Sequence, residues 1–406
     1  MAEIKTVVYM FPYPFEKRDY DRFGVETFVN SEFDVRVWDM TDHFVPDYRQ
    51  WAKAIPDPVD FAGLRLFSQL DDILKAVNGL DRNAFVFNFL NVNVMSYPIL
   101  RALSERGIPH AAFMINSVPS LGGEDTNGSL LGRLRSLTAM TQYRLKHLNW
   151  ARVRNYAFKL SPLSKGVVST PAMFIVDGAK SYRAAIKSGT PDERILKTHA
   201  FDYDLCLKAK EKPPLFKDPI AVFIDDGFPH HPDYLYLKVN PQITADVYFP
   251  LLRRFFDEFE RTLGLKVVIA IHPRPIYKEP EQLFGNREII RGRTVELVRD
   301  ANLVVLSCST AINFAVLLNK PTLFITTDQV NRNYGPMIKT MSNFLNSPLL
   351  NLNQTMEVNP ERIFALSDAG YDRYRNEFIK MDDSPQKYFW EIVRDRLSAG
   401  VTPVLQ

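Results

Sequence analysis

The chain has 406 residues, with 50 Lys and Arg, 47 Asp and Glu and a formal net charge of +3. This length favours two domains over a single core, and the near balance of charge argues against a protein dedicated to binding nucleic acid. The two cysteines, Cys206 and Cys308, give no disulfide framework or metal-ligand spacing, which fits a reducing cytoplasm. No apolar run approaches the roughly 20 residues that span a bilayer, and residues 1–12 lack the apolar core of a signal peptide.

Strand-like and helix-like segments alternate along the first half of the chain. The patterns predict strands at 6–10, 34–38, 84–89, 110–115 and 173–176, and helices at 64–77 and 97–106. This alternation is typical of an α/β domain built on a parallel sheet.

A basic region follows at 130–165, inside a window from Asp125 to Asp177 that has no acidic residue between its ends. Its apolar spacing predicts one or two helices over 130–160. Two interpretations stay open. The cations face solvent on an ordinary helix surface, or they lie against a polyanionic substrate or an anionic membrane, and the latter would place the protein at the inner face of the cytoplasmic membrane.

A charged, proline-bearing stretch from Lys208 to Pro214 predicts the domain boundary. We place one domain at 1–207, a linker at 208–218, a second domain at 219–380 and a closing helix at 381–406 that packs back toward the first domain. In the second half the patterns predict strands at 220–225, 266–271, 288–290, 303–306 and 322–326, and helices at 244–263, 295–300, 311–319 and within 361–397.

Three polar clusters each begin where a predicted strand of the second domain ends. They are Asp225-Asp226-Gly227, His272-Pro273 and the run from Ser307 to Thr310. Ligands of open α/β sheets bind beyond the carboxyl ends of the strands, so the clusters outline a phosphate-handling site. Ser309 and Thr310 precede a helix and offer hydroxyls and backbone N–H groups to an anion, although an ordinary helix cap would have the same pattern.

The second cluster continues as His272-Pro273-Arg274-Pro275. The two prolines stiffen the backbone, and His272 with Arg274 can neutralise a phosphate leaving group. A strand-end histidine with a purely structural role is the alternative.

The first cluster opens a loop that also contains His230, His231 and Asp233. Asp233 is a candidate nucleophile or base, and His231 or Asp225 could orient it, whereas an ordinary turn is the alternative. The loop lacks the DxD carboxylate spacing of a metal site and a helix with paired histidines, so we expect neither metal nor cofactor.

The order DDG, HP and a Ser/Thr cluster at a helix start resembles the bacterial sialyltransferases and Kdo transferases, GT-B glycosyltransferases that use CMP-activated ulosonic acids. The loop IDDGFPHHPDY, residues 224–234, looks closest to the retaining β-Kdo transferases of the WbbB type. The resemblance implies an α/β GT-B fold of two Rossmann-like domains facing across a cleft. The first would bind the acceptor, and the second would bind CMP-Kdo.

The resemblance also implies a role for each matching residue. His272, Pro273 and the hydroxyls of Ser309 and Thr310 would contact the CMP phosphate, with Arg274 and Ser307 beside them, and Asp225 and Asp226 would be the acidic pair. Asp233 would attack the anomeric carbon and form a covalent glycosyl-enzyme. The acceptor would be a bacterial surface polysaccharide, the O-antigen of lipopolysaccharide or a capsule, in oligosaccharide or lipid-linked form.

Two other functions stay open. An inverting transferase of sialic or another nonulosonic acid would use an Asp of the same loop as its base. A non-catalytic glycan-binding protein with a relic GT-B fold would bind glycan without turning over a CMP-sugar. The acceptor side has weaker candidates in Asn91 and Asn93, which follow the strand at 84–89, with an ordinary polar loop as the alternative.

Overall fold

A computed structural model describes residues 3–46, 48–51, 57–115, 117–119, 158, 161, 169–231, 234, 241, 243–354 and 359–400. Most of the basic region 130–165, with its predicted helices, lies outside the described residues. Asp233 lies outside them as well. Both therefore remain predictions.

The first domain is built on a sheet of parallel strands. They are β1 Thr6–Phe11, β2 Asp34–Asp39, β3 Leu64–Leu66, β4 Ala84–Asn88, β5 His110–Met114, β6 Met173–Val176 and β7 Ile195–Lys197. Their order across the sheet is β3-β2-β1-β4-β5-β6-β7. Every residue of β1 is buried, as expected for a parallel strand that is covered on both faces.

Helices cover this sheet and connect its strands. They are α1 Lys17–Arg22, α2 Val25–Val29, α3 Thr41–Phe44, α4 Tyr48–Trp51, α5 Leu70–Asn78, α6 Tyr97–Glu105 and α7 Ala179–Lys187. Helix α8, Phe201–Lys210, follows β7 and packs against helices of the second domain. Alternate residues of β1 enter two separate cores. Tyr9 packs with Phe28 on one face, whereas Val8 packs with Ile73 and Ile99 on the other.

The second domain has a parallel sheet of its own. Its strands are β8 Ile220–Ile224, β9 Lys266–Ile271, β10 Ile289–Arg291, β11 Leu303–Leu306, β12 Thr322–Thr326 and β13 Leu349–Asn351. Their order is β10-β9-β8-β11-β12-β13. The described helices are α9 Ala245–Leu263, α10 Pro280–Leu283, α11 Thr294–Asp300, α12 Ile312–Leu317, α13 Asp328–Leu345, α14 Pro360–Ile363, α15 Asp368–Tyr374 and α16 Phe389–Ser398.

The end of the chain returns to the first domain. Phe389, Trp390 and Val393 of α16 are buried in the same core as Tyr9, and the Trp390 indole donates to the carbonyl of Arg22 at 2.8 Å. Between the domains, Arg183 of α7 pairs with Glu377, and Lys197 of β7 pairs with Asp383 at 2.6 Å. Helix α16 therefore follows the second domain in sequence but completes the core of the first.

The structure also corrects several predicted elements. The segment predicted as one helix at 64–77 is strand β3 followed by α5, because its first three residues pair with Val37–Asp39 at the edge of the sheet. The predicted linker at 208–218 begins inside α8, which continues to Lys210. Helix α13 was not predicted, since its polar sequence with Gly335 and Pro336 hides the helical periodicity.

Candidate functional site

The three predicted clusters lie at the ends of three neighbouring strands. The chain enters the second sheet at β8, in its middle, adds β9 and β10 on one side and then crosses to β11 on the other. The reversal makes β8 the topological switch point, where the loops on either side diverge and leave a crevice for a ligand. Asp225 follows β8, His272 follows β9 and Ser307 follows β11, so all three clusters line this crevice.

Asp225 holds the first two clusters together. It is 1% exposed, and one carboxylate oxygen accepts from the Gly227 N–H at 3.0 Å. The other accepts from the His272 N–H at 3.0 Å and from the Tyr277 hydroxyl at 2.6 Å. Burial raises the pKa of Asp225, while the Tyr277, His272 and Gly227 donors oppose that rise. With both oxygens occupied, Asp225 is suited to positioning the loops rather than to accepting a substrate proton.

Gly227 is the point where the two loops meet. Its φ is +80°, a conformation that glycine adopts without strain. A Cβ at this position would lie 2.9 Å from Pro275 and 3.0 Å from the His231 ring. The rings of His231 and His272 are 4.9 Å apart at 62°. The structure thus brings both predicted imidazoles to one side of the DDG turn.

The hydrogen bond at Nδ1 of His272 indicates its tautomer. The Arg274 backbone N–H donates to this nitrogen at 3.3 Å, so Nδ1 is an acceptor and the proton of the neutral ring is on Nε2. The carbonyls of His272 and Pro273 both accept from Arg291 of β10, at 3.0 and 2.6 Å. This contact fixes the loop backbone and adds a positive charge beside it.

Asp226 connects the first cluster to the third. Its carboxylate accepts from the Cys308 N–H at 3.3 Å, and the Cys308 Sγ lies 3.8 Å away. Burial and the negative charge of Asp225 raise the pKa of Asp226 to about 7, although hydrogen bonds from the backbone of Cys308 and Ser307 act in the opposite direction. Unlike Asp225, Asp226 is partly exposed, so it can exchange a proton with a ligand near neutral pH.

The remaining residues of the third cluster lead into α12. Ser307 is buried, Ser309 is half-buried and Thr310 is exposed. The Ser309 hydroxyl accepts from the Ala311 N–H at 3.2 Å, so this serine is engaged in the helix turn that the sequence predicts. Of the two hydroxyls, that of Thr310 is the more accessible.

Arg274 relates this site to the first domain. Its charge lowers the pKa of both Tyr13 and Glu16, in each case against the larger effect of burial. Both residues follow β1. The loop after β9 therefore faces the loop after β1 across the cleft.

Two groups of the site were not predicted from the sequence. Tyr277 supplies a hydroxyl to Asp225, and Arg291 supports the His272 backbone. Tyr277 lies in the His272 loop, and a search for hydroxyls near the clusters could have found it. The predicted acceptor residue Asn93 accepts from the Met95 and Ser96 N–H groups through its side chain, so it stabilises its own loop.

The described part of the chain bears on metal binding and on membrane insertion. None of its residues form a group of three or more His, Cys, Asp or Glu side chains that could hold a metal ion. Its helices include none that is long and apolar enough to cross a membrane.

No protein-family model and no curated protein matches the sequence. Solved structures do match the fold. CalG4, the calicheamicin glycosyltransferase, superposes with a TM-score of 0.52 at 13% identity over 98% of each chain. The wall teichoic acid polymerase TagF gives 0.48 at 10% identity over 97% of this chain and 90% of that one. A UDP-GlcNAc 2-epimerase from Neisseria meningitidis gives 0.47 at 11% identity over 96% and 99%. The two parallel sheets and the likeness to CalG4 confirm the predicted α/β GT-B fold.

Proposed function

We propose that this chain is a glycosyltransferase that takes its sugar from a nucleotide-activated donor. The observation that carries the proposal is the convergence of Asp226, His272 and Arg274 at the switch point of the second sheet. A nucleotide-sugar has an anionic leaving group and a hydroxyl-rich sugar. The site offers cations and an N–H donor to the leaving group, and it offers carboxylates to the sugar.

The geometry suits departure of a phosphate. The Nε2 proton of His272 and the guanidinium of Arg274 can stabilise the negative charge that develops on the leaving oxygen. Donors held in place before the reaction are the most effective, and the His272 loop is fixed by Asp225 on one side and Arg291 on the other. This arrangement needs no metal ion for charge neutralisation.

For the donor we propose CMP-Kdo, supported by the resemblance of residues 224–234 to the retaining β-Kdo transferases. The reaction is a double displacement in which Asp233 attacks the anomeric carbon and CMP departs. An acceptor hydroxyl then displaces Asp233. Because the anomeric carbon of a ulosonate is fully substituted, its transition state is strongly oxocarbenium-like and favours a nearby carboxylate. The product is a surface polysaccharide or its lipid-linked precursor, made at the inner face of the cytoplasmic membrane.

A second candidate is supported by the pKa of Asp226, which is raised to about 7. A carboxyl with this pKa suits a general base. An inverting transferase would then use Asp226 to deprotonate the acceptor in a single displacement. The two mechanisms give opposite anomers, which proton and carbon NMR of the product distinguishes.

Intact-protein mass spectrometry tests the covalent step. Wild type and Asp233→Ala are mixed with CMP-Kdo, with CMP-sialic acid and UDP-GlcNAc in parallel. A Kdo-sized mass gain that survives denaturation in wild type, and is lost in the variant, supports double displacement. Turnover of CMP-Kdo without any mass gain would refute it. If none of the three donors is consumed and calorimetry shows that none of them binds, the nucleotide-sugar proposal fails.

His272→Ala tests the phosphate role directly. We expect CMP release to fall by about 10²–10³-fold, the usual effect of removing one preorganised donor. His230→Ala is the matched control because His230 lies in the neighbouring loop after β8 but is exposed, with its ring 6.1 Å from that of Phe249. Equal rates for the two variants would exclude the role of His272. Added EDTA should leave the wild-type rate unchanged.

A further inference from the structure

The loop after β1 has the same position in the first sheet that the loop after β8 has in the second. There the strand order β3-β2-β1-β4 means that the chain moves away from β1 on one side and later returns beside it. The loop after β1, residues 12–16, thus begins at a switch point, where ligands of such sheets bind. Through Arg274 this loop faces the proposed phosphate site, so the two switch points lie on opposite walls of one cleft.

Glu16 is the last residue of this loop, and its backbone is held on both sides. The N–H of Phe15 donates to the buried carboxylate of Asp39 at 3.1 Å. The N–H of Lys17 donates to the Asp57 carbonyl at 2.9 Å. Glu16 itself donates its N–H to the Asp19 carboxylate at 3.3 Å. Such support is what a side chain needs in order to keep one orientation toward a substrate.

Three other carboxylates near this end of the sheet are engaged or buried. Asp39 and Asp42 both pair with Arg49, at 2.7 and 3.0 Å. Asp19 is 2% exposed. Glu16 is partly exposed and has no ion pair among the described residues. It is therefore the carboxylate of this group that a ligand in the cleft can reach.

We propose that Glu16 is the base that deprotonates the acceptor, an inference that rests on the proposed glycosyl transfer. The acceptor hydroxyl gives its proton to the Glu16 carboxylate while its oxygen bonds to the anomeric carbon. The bond from that carbon to its leaving group breaks at the same time, and the electron pair stays with the leaving oxygen. In a double displacement the leaving group is the Asp233 carboxylate. In a single displacement it is the CMP phosphate, and Glu16 rather than Asp226 is then the base.

The surroundings of Glu16 suit this role. Burial raises its pKa, and the negative charges of Asp19 and Asp57 add to the rise, while Arg18 and Arg274 reduce it. A carboxylate with a raised pKa accepts a proton more readily than an ordinary one.

Glu16→Gln tests the inference with water as the acceptor, so that no glycan has to be identified first. Three quantities are compared with wild type: calorimetric affinity for CMP, the rate of formation of the protein-bound sugar from CMP-Kdo, and the steady-state release of CMP. Loss of one general base typically lowers a rate by about 10²–10⁴-fold. We expect the rate of CMP release by Glu16→Gln to fall by this factor, while its affinity for CMP and its rate of adduct formation stay unchanged. Glu26→Gln is the control, since Glu26 is exposed on the next helix.

Each result has a distinct meaning. An adduct that forms at the wild-type rate but decays slowly supports Glu16 as the base of the second step. A slow CMP release without any adduct supports it as the base of a single displacement. Wild-type CMP release by Glu16→Gln would overturn the inference, as would a loss of CMP affinity, because Glu16 would then hold the donor. If wild type itself releases no CMP, the proposed function fails.

Discussion

Replacing Asp226 by Asn should make the protein more stable at alkaline pH and leave it nearly unchanged in acid. The reason is the position of this carboxyl between a buried carboxylate, Asp225, and the start of the third cluster. Asp225 takes the negative charge because three donors surround it. Asp226 then has to ionise beside that charge, in a site that is only partly exposed to solvent.

The size of the effect follows from the pKa of Asp226, which rises from 3.8 to about 7. Each pKa unit corresponds to about 1.4 kcal/mol, so ionising Asp226 in the folded protein costs at most about 4 kcal/mol relative to the unfolded chain. Partial exposure reduces this cost by screening, and we expect about 2 kcal/mol. The folded state keeps a proton that the unfolded chain releases between about pH 4 and pH 7. The wild-type free energy of unfolding therefore falls as the pH rises through this window.

Urea unfolding of wild type and Asp226→Asn at several pH values between about 5 and 8 measures the difference. The variant should gain stability relative to wild type as the pH rises, and the gain should level off above the pKa of Asp226. Asp218→Asn is the control, because Asp218 is exposed just before β8. A stability difference that does not change with pH would refute the burial of Asp226 against the charge of Asp225.

Three further outcomes are expected. Tyr277→Phe removes a 2.6 Å hydrogen bond to a buried carboxylate and should lower the free energy of unfolding by about 1.5–3 kcal/mol, measured in urea. Trp390→Ala should cost about 3–5 kcal/mol, and calorimetry should show that the first domain unfolds at lower temperature. N-ethylmaleimide should modify partly exposed Cys308 more slowly in the presence of CMP, while buried Cys206 stays unmodified. Peptide mass spectrometry measures the labelling of each cysteine. Equal labelling of Cys308 with and without CMP would contradict the proposed site.

The positions of the three clusters could be predicted because they depend on local signals. The apolar runs that become β8, β9 and β11 are plain in the sequence, and parallel strands place their carboxyl ends at one edge. The contacts that these clusters make with other parts of the chain could not be predicted. The Tyr277 bond to Asp225 depends on how the β9 loop folds back, and the Arg291 contact requires β10 to pair beside β9. Neither is encoded by spacing along the chain.

The acceptor side shows a different limit. Asn91 and Asn93 were acceptor candidates because they follow a strand, yet the Asn93 side chain is used within its own loop, where it donates to the Asn91 carbonyl and accepts from the Met95 N–H. Glu16 also follows a strand, but it was not predicted, because a single carboxylate after a run of aromatic and proline residues forms no motif. The strand order is needed to see that the loop after β1, as well as the loop after β4, lies at the switch point of the first sheet. Edge strand β3 was mistaken for a helix since three residues are too few to show a strand period.

The packing of α16 has a consequence for how the protein is made. Trp390 lies against Gly24 so closely that a Cβ on that glycine would be 2.2 Å from the indole. During synthesis the core of the first domain is therefore not closed until a segment much later in the chain has been made. During synthesis Tyr9, Phe28 and Phe87 would have an uncovered side, which a chaperone could bind. A fragment ending at the linker should share this exposure, and an isolated first domain should be produced with residues 381–400 attached.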